Sequence, residues 1–257
     1  MNATTLTRIQ RRGWNTWLHA KFLLFQRHRH NRVVLETVAG RPIMVLPEVL
    51  NPKIFFTGEW LAMLIEDPSG FRKPQGSGGV LIPPASSVLD LGCGTGVVSV
   101  FAAQQASRVV AVDINPAAVR CARINALLNG VETRVEVREG DLFKPLANER
   151  FDVIVFNPPY FPGQPRSDFE RALRSQGLSE RFAADLGEHL TPGGCALLLL
   201  SSIGDEAGWL EPLRRLGFTM EAVTDRAVAS ERLTLYRIRR DDKHARNAAS
   251  ENADSAK

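Results

Sequence analysis

The stretch Val88-Leu89-Asp90-Leu91-Gly92-Cys93-Gly94-Thr95-Gly96 decides the fold. Its beginning is apolar apart from Asp90, which is typical of a buried strand, and the apolar segment Val97–Gln105 after it predicts a helix. Glycines occupy every second position of the connection between them. Because glycine has no Cβ, such a turn allows the backbone to approach a ligand closely. The stretch therefore predicts a strand, a ligand-binding turn and a helix.

The chain after this stretch alternates between predicted strands and predicted helices. The strands are Val88–Leu91, Arg108–Val112, Arg134–Glu139, Val153–Phe156 and Gly194–Ser201, and the helices between them are Val97–Gln105, Ala117–Asn129 and Ser179–Leu190. A last helix and an edge hairpin follow, over Glu211–Leu216, Thr219–Val223 and Arg232–Ile238. This alternation predicts an α/β fold with a doubly wound, mostly parallel seven-stranded sheet.

The residues before this fold predict an N-terminal extension. Residues 6–32 carry apolar residues at helical spacing, Val33–Val38 and Ile43–Val49 are typical of a hairpin, and Glu59–Glu66 is typical of a helix. We therefore divide the chain into a basic helical and hairpin extension (1–70), a loop (71–84), the α/β domain (85–240) and a polar, disordered tail (241–257).

Charge is distributed unevenly along the 257 residues, whose net charge is +4. Residues 1–35 contain no Asp or Glu, and their Arg and Lys residues are interleaved with Trp14, Trp17, Phe22 and Phe25. This composition favours contact with RNA through charge and stacking. A helical lid that packs on the core explains the same residues, and a mitochondrial transit peptide is a further alternative.

The cysteines and the hydropathy pattern indicate the compartment. Cys93, Cys121 and Cys195 are isolated and form no CxxC pair, which argues against a disulfide framework or a zinc site. No apolar run approaches the roughly 18–20 residues of a membrane span. We predict a cytoplasmic protein that has no metal site and no membrane contact, and we leave its oligomeric state open.

Three carboxylates accompany the predicted strands: Asp90 lies inside the first, Asp113 ends the second and Asp141 follows the third. The carboxyl ends of parallel strands share one edge, so these groups can bind one ligand. Asp90 suits an ammonium, Asp113 suits ribose hydroxyls, and Asp141 suits an adenine amino group, with Leu142 packed on the ring. Helix capping by Asp90, a helix start at Asp113 and a solvated Asp141 are the alternatives.

On the glycine turn and these acids, residues 88–201 resemble a class I S-adenosylmethionine-dependent methyltransferase. The resemblance implies S-adenosylmethionine as cofactor, with the glycines along its methionine portion, Asp113 at the ribose and Asp141 at the adenine. The predicted cofactor-binding residues are Asp90, Gly92, Cys93, Gly94, Gly96, Asp113, Ile114, Asp141, Leu142 and Asn157. Cys93 is also explained as a small packing residue.

The tetrapeptide Asn157-Pro158-Pro159-Tyr160 follows the apolar strand Val153–Phe156. Asn157 offers a carbonyl oxygen to an NH2 group. Pro159 has no N–H, so the Pro158 carbonyl can project into the site. Two acceptors orient a planar NH2 group, and Tyr160 gives it an aromatic face. We predict that these four residues are catalytic and act by positioning the acceptor nitrogen. A turn with a packed tyrosine is the alternative.

This tetrapeptide resembles that of HemK-like glutamine N5-methyltransferases and of N6-adenine or N2-guanine methyltransferases of RNA and DNA. The resemblance implies N-methylation of a planar NH2 nitrogen, in a protein glutamine or a nucleobase. The segment Phe55-Phe56-Thr57-Gly58-Glu59 departs from the Pro-Arg-x-Glu-Thr type that HemK-like enzymes place beside the cofactor. The loop Phe161–Gly177, with Arg166, Arg171 and Arg174, is expected to border the acceptor pocket.

Three further hypotheses are weighed against this one. A small-molecule N-methyltransferase of a biosynthetic pathway would use the same motifs. A non-catalytic RNA-binding or assembly module with a methyltransferase fold would not need Asn157–Tyr160 intact. A nicotinamide-dependent dehydrogenase would leave that tetrapeptide unexplained.

Overall fold

A computed structural model describes residues 32–70, 80–164, 174–228 and 231–241. The predicted helices before residue 32 and almost all of the predicted tail lie outside the described residues. The same holds for Arg166, Arg171 and most of the predicted loop 71–84. No helix within the described part of the chain is both long enough and apolar enough to cross a membrane.

The helices and strands alternate along the chain as follows. The helices are α1 (Pro52–Phe55), α2 (Thr57–Glu66), α3 (Val97–Ala102), α4 (Pro116–Leu128), α5 (Leu178–His189) and α6 (Glu206–Arg215). The strands are β1 (Val34–Val38), β2 (Arg41–Val45), β3 (Ser87–Leu91), β4 (Arg108–Asp113), β5 (Val135–Glu139), β6 (Phe151–Phe156), β7 (Phe161–Pro162), β8 (Arg174–Ser175), β9 (Leu190–Ser201), β10 (Phe218–Val228) and β11 (Glu231–Arg240).

The central sheet has seven strands in the order β10-β11-β9-β6-β3-β4-β5. Strands β9, β6, β3, β4 and β5 run parallel, whereas β11 is antiparallel to both β9 and β10. The chain runs from β3 outward to β5 and then returns to the other side of β3 with β6. The predicted α/β class, the mostly parallel sheet and the edge hairpin are confirmed.

Both faces of the sheet are buried, as parallel sheets require. Along β3, Val88 belongs to the core on the face covered by α2, α3 and α4, which contribute Trp60 and Phe101. Leu89 belongs to the core on the opposite face, which α5 and α6 cover with Phe182 and Trp209. The two helical layers hold the strand ends in a fixed arrangement.

The β1–β2 hairpin is fastened to α4 by two asparagine side chains. Asn125 accepts from the Met44 amide and donates to the Met44 carbonyl, both at 2.7 Å. Asn129 donates to the carbonyl of Pro42 at 2.9 Å. Residues 34–45 therefore pack on the α/β sheet, while the domain boundaries given above stay a prediction.

Several element boundaries differ from the predicted ones because capping and pairing set them. Helix α6 begins at Glu206 rather than Glu211, since the Asp205 carboxylate accepts from the Gly208 amide at 3.0 Å. Strand β9 begins at Leu190 because Leu190 pairs with Phe151, before a register shift in β6. The predicted loop 161–177 contains the short parallel pair β7–β8.

Candidate active site

Both motifs lie at the point where the strand order reverses, between β3 and β6. Leu91 and Phe156, the last residues of these strands, are paired neighbours. A Cβ built on Gly92 would lie 3.5 Å from the Phe156 ring, so the glycine turn and the Asn157 corner lie side by side. Ligands of open α/β sheets bind at such a reversal, beyond the carboxyl ends of the strands. The structure therefore brings the two predicted halves of the site together.

The glycine turn has the backbone conformation that favours glycine. Gly92, Gly94 and Gly96 have φ of +62°, +55° and +73°. A Cβ on Gly96 would lie 2.8 Å from the Cβ of Ala122, whereas one on Gly94 would meet nothing within 4 Å. Gly96 thus permits close packing against α4, and Gly94 faces open space where a ligand can approach the backbone.

Asp113 reaches back from the end of β4 to this turn. Its carboxylate accepts from the Gly94 amide and from the Asn115 amide, each at 2.8 Å. Burial raises the pKa of Asp113, and these amide donors oppose the rise. Each carboxylate oxygen has a further lone pair that can accept from a hydroxyl. The helix start is also present, because Asn115 caps α4 by accepting from the Ala117 amide.

Asp90 is a buried carboxylate next to the turn, with 3% of its surface exposed. It accepts from the Ser99 hydroxyl at 2.6 Å and from the Ser99 backbone amide, which belongs to the first turn of α3. The capping role is therefore present as well. Burial raises the pKa of Asp90 to about 7 against the hydrogen bonds from Ser99. A ligand ammonium nearby would favour its charged form.

Asp141 lies in the turn after β5, which is tied to β4 because Gly140 donates its amide to the Asp113 carbonyl at 2.9 Å. Its Oδ2 atom accepts from Lys144 at 3.0 Å and from Arg181 at 2.5 Å. Burial acts to raise the pKa of Asp141, but these two cations lower it overall. One of its oxygens is thus engaged by cations, and the role of Asp141 toward an adenine stays a prediction.

The remaining predicted cofactor residues differ in their exposure. Ile114 is 40% exposed at the end of β4, whereas Leu142 is 8% exposed and has φ of +51°. Cys93 is 6% exposed, and burial raises the pKa of its thiol well above the usual value. Cys93 therefore remains a neutral packing group, while Ile114 offers an apolar surface to a flat ligand.

The acceptor corner at the end of β6 is organised by side chains. Tyr160 donates its hydroxyl to Asn157 Oδ1 at 2.5 Å, and Asn157 donates from Nδ2 to the Thr57 hydroxyl at 3.1 Å. Pro158 is buried, whereas Pro159 and Tyr160 are half-buried and line a cavity of about 340 Å³ between this corner, α5 and α6. The structure thus places Pro159 and Tyr160 beside open space.

Ser99 and Thr57 also contact the predicted site residues, and of these two only Thr57 lies in a segment named from the sequence, Phe55–Glu59, where it was assigned no role. Ser99 donates to Asp90 from within α3, and Thr57 contacts Asn157 from a position 100 residues earlier. Glu231 lies near Tyr160, whose pKa it helps to raise, and accepts from Ser201. None of these contacts follows from local spacing. Within the described residues, no three His, Cys, Asp or Glu side chains are grouped to hold a metal ion.

Comparison with known proteins adds to this geometry. A family model described as the methyltransferase small domain matches residues 80–203. A protein of Methanocaldococcus jannaschii with the provisional name protein N5-glutamine methyltransferase is 37% identical over 143 residues, which cover 52% of this chain and 71% of that protein.

Two further relatives are matched over a smaller share of their length. The release factor glutamine methyltransferase of Geobacter sulfurreducens is 36% identical over 53% of this chain and 52% of the relative. The tRNA1(Val) (adenine(37)-N6)-methyltransferase of Porphyromonas gingivalis is 36% identical over 52% of this chain and 60% of the relative. The chain thus spans between half and two thirds of the length of these two enzymes.

Solved structures share the fold at low sequence identity. SMU.776, a methyltransferase by provisional name that was crystallised with SAH, has a TM-score of 0.58 at 14% identity, over 80% of this chain and 56% of that one. The ribosomal protein L11 methylase of Lactobacillus delbrueckii subsp. bulgaricus has a TM-score of 0.52 at 19% identity, over 75% of this chain and 82% of that one.

The glycine turn fits S-adenosylmethionine, because Gly94 leaves open space beside its backbone and two carboxylates lie around it. Since the Methanocaldococcus relative is matched over 71% of its length at 37% identity, the chain belongs to the class I S-adenosylmethionine-dependent methyltransferases.

Proposed function

We propose that the chain methylates the side-chain NH2 nitrogen of a glutamine in a protein. The observation that carries this proposal is the Asn157 corner next to the glycine turn, where an amide oxygen and an aromatic ring meet. When bound, S-adenosylmethionine supplies an electrophilic methyl carbon, so that an N–CH3 bond forms as the S–CH3 bond breaks and one proton leaves the nitrogen.

The residues of the corner act by orientation. One lone pair of Asn157 Oδ1 is used by Tyr160, and the second can accept from the NH2 group of the acceptor. The Pro158 carbonyl is the proposed second acceptor, and the Tyr160 ring is the proposed contact for the flat amide. Orientation of reacting groups contributes about 7–11 kcal/mol in favourable cases, so this chemistry needs no histidine base.

The charges around the corner favour a protein acceptor over a nucleic acid. Among the described residues that line the 340 Å³ cavity are Glu180 and Asp205, with no Lys or Arg. A second cavity of about 600 Å³, lined by Glu206, Asp225 and Glu231 with Arg232 as its basic residue, adjoins segment 202–206. Phosphates bind surfaces rich in Lys and Arg, so the described part of these walls suits a neutral or basic peptide better than RNA.

A nucleobase amino group is the second candidate acceptor. It presents the same planar NH2 group, and the Porphyromonas relative bears the name of an adenine-N6 methyltransferase. The Methanocaldococcus and Geobacter relatives bear names of glutamine methyltransferases, which supports the first candidate. RNA contact through residues 1–31 stays a prediction on residues outside the structure.

The cytoplasm is the proposed location. Cys93, Cys121 and Cys195 are free and buried, which suits a reducing compartment. A methyl acceptor that is a translated protein or an RNA would also be available there.

The test is transfer of radiolabelled methyl groups into a fractionated cell lysate. The proposal expects label in protein that survives ribonuclease, and expects acid hydrolysis to release it as methylamine, because hydrolysis of an N-methyl amide separates the amine. An Asn157→Ala variant serves as the background control.

Three other outcomes would contradict the proposal, and each of them would support a different function. Label that ribonuclease removes would support the nucleobase candidate. Label confined to small molecules would support a biosynthetic N-methyltransferase. Cofactor binding by calorimetry without any transfer would support a non-catalytic module.

A further inference from the structure

We propose that Thr57 is a positioning residue for methyl transfer, which holds the Asn157 amide at one end while Tyr160 holds it at the other. The inference rests on the proposed function, because it concerns the residues that would orient the acceptor nitrogen. Thr57 is 9% exposed and stands at the first position of α2, far from both residues in sequence.

Two hydrogen bonds link the three side chains. Asn157 donates from Nδ2 to Thr57 Oγ1 at 3.1 Å, and Tyr160 donates its hydroxyl to Asn157 Oδ1 at 2.5 Å. The Asn157 amide is thus held at both ends, at Nδ2 by Thr57 and at Oδ1 by Tyr160.

The two hydrogen bonds hold the plane of the Asn157 amide in place. Because a hydroxyl can donate or accept, Thr57 and Tyr160 fix this plane without themselves selecting which end carries the oxygen. In the orientation present, Nδ2 is turned toward α2 and a lone pair of Oδ1 is left for a further donor. A flipped amide would present an NH2 group to the NH2 group of the acceptor, so the acceptor itself favours the orientation present.

Thr57 is well placed to hold the Asn157 amide because its own position is rigid. Trp60 and Leu61 in the next turn of α2 are fully buried. Phe56, directly before Thr57, has φ of +58°, a strained conformation for a residue other than glycine. A Cβ on Gly58 would lie 3.3 Å from Pro52 and 3.5 Å from Val97, at the beginning of α3. Helix α2 thereby ties the acceptor corner to the glycine turn.

The kinetic test compares Thr57→Val with Thr57→Ser in the full-length protein. Valine has the shape of threonine without its oxygen, whereas serine keeps the oxygen. We expect Thr57→Val to lower kcat about 10- to 100-fold, as a misplaced reacting group does, with the Kd of S-adenosylmethionine within twofold of the wild-type value. Thr57→Ser should retain kcat within about threefold. In an Asn157→Ala background, Thr57→Val should have no further effect, since coupled residues are not additive.

A second measurement needs no activity. The side-chain amide signals of Asn157 in a 15N-labelled protein, assigned by their loss in Asn157→Ala, should shift in Thr57→Val and stay in place in Thr57→Ser. Wild-type kcat or an unmoved Asn157 signal in Thr57→Val would overturn the inference, as would a parallel loss of cofactor affinity. If the wild-type protein transfers no methyl group, the proposed function fails while the amide signals still test whether Thr57 holds Asn157.

Discussion

The two halves of the site are built in different ways. In the cofactor half, the glycine turn and its acids are joined through backbone amides, as when Asp113 accepts from Gly94. In the acceptor half, the contacts run between side chains, and Thr57 lies 100 residues from Asn157. A site made from backbone amides keeps its shape under most substitutions, whereas a side-chain site depends on each hydroxyl and amide. Binding and turnover should therefore respond to different substitutions.

The largest effect is expected at Asn157, where a substitution should lower turnover but leave cofactor affinity nearly unchanged. Asn157→Ala removes the oxygen that orients the acceptor, and we expect kcat to fall about 10³-fold or more, as for loss of a preorganised polar contact. The Kd of S-adenosylmethionine should change less than threefold, because the glycine turn is untouched. Radiolabel transfer and calorimetry measure the two quantities.

A matched control for this variant is Asn129→Ala, which removes a side-chain contact to the Pro42 carbonyl at the far side of α4. Its kcat should stay near the wild-type value. Equal losses of turnover and cofactor affinity in Asn157→Ala would show that the halves are not separable.

In the cofactor half, we expect a substitution at a glycine of the turn to lower the stability of the fold. Gly96→Ala combines a φ of +73° with a Cβ only 2.8 Å from that of Ala122. Strain in the left-handed region and overpacking together should lower the free energy of unfolding by about 3 kcal/mol. Gly130→Ala, with φ of +64° and nothing within 4 Å of the new Cβ, has the strain alone and should cost about 1 kcal/mol. Equal losses in denaturant unfolding would refute a role for close packing.

Asp90 is a buried carboxylate of the cofactor half, and its charged form destabilises the folded chain. Its pKa of about 7 in the folded chain exceeds the usual 3.8, so the folded state binds the proton more tightly than the unfolded state. The stability due to this group is therefore present below about pH 4 and is lost as the pH rises toward 7. Asp90→Asn removes this dependence, and we expect it to stabilise the cofactor-free protein at pH 8 by about 2 kcal/mol.

The same substitution should weaken S-adenosylmethionine binding about 10-fold at pH 8, because it removes the carboxylate that we predict to face the ammonium of the cofactor. Unfolding at pH 5 and pH 8 tests the expected change in stability, and calorimetry at pH 8 tests the expected change in cofactor affinity. Asp67→Asn, at an exposed acid whose pKa is lowered by its hydrogen bonds to Ser69, should not stabilise the protein. Loss of stability in Asp90→Asn would contradict the burial argument.

The difference between the halves also explains what the sequence could predict. The strands, the sheet class and the residues of the cofactor half follow from patterns within residues 88–142, where partners are close in sequence. Asn157–Tyr160 was recognisable from the same kind of local pattern. Thr57 lies in the segment Phe55–Glu59, which the family resemblance placed beside the cofactor, but its contact with Asn157 was not recognisable, because no spacing links α2 to the end of β6 until the sheet has formed. Helix α6 began earlier than predicted, since the Asp205 cap adds a turn that its apolar pattern does not require.

The smallest effect is expected for loss of the Tyr160 hydroxyl, because Asn157 keeps its hydrogen bond to Thr57. Burial and the nearby Glu231 raise the pKa of Tyr160, so its phenol stays protonated and donates to Asn157 across the neutral pH range. Tyr160→Phe removes that donor but leaves Asn157 bound to Thr57 and keeps the aromatic ring. We expect kcat to fall no more than about fivefold, because a single neutral hydrogen bond contributes only about 1 kcal/mol. Tyr160→Ala removes the ring as well and should lose far more activity. Equal losses of activity in the two variants would show that the hydroxyl, and not the aromatic ring, carries the contribution of Tyr160, which would contradict the role of the ring as a contact for the acceptor.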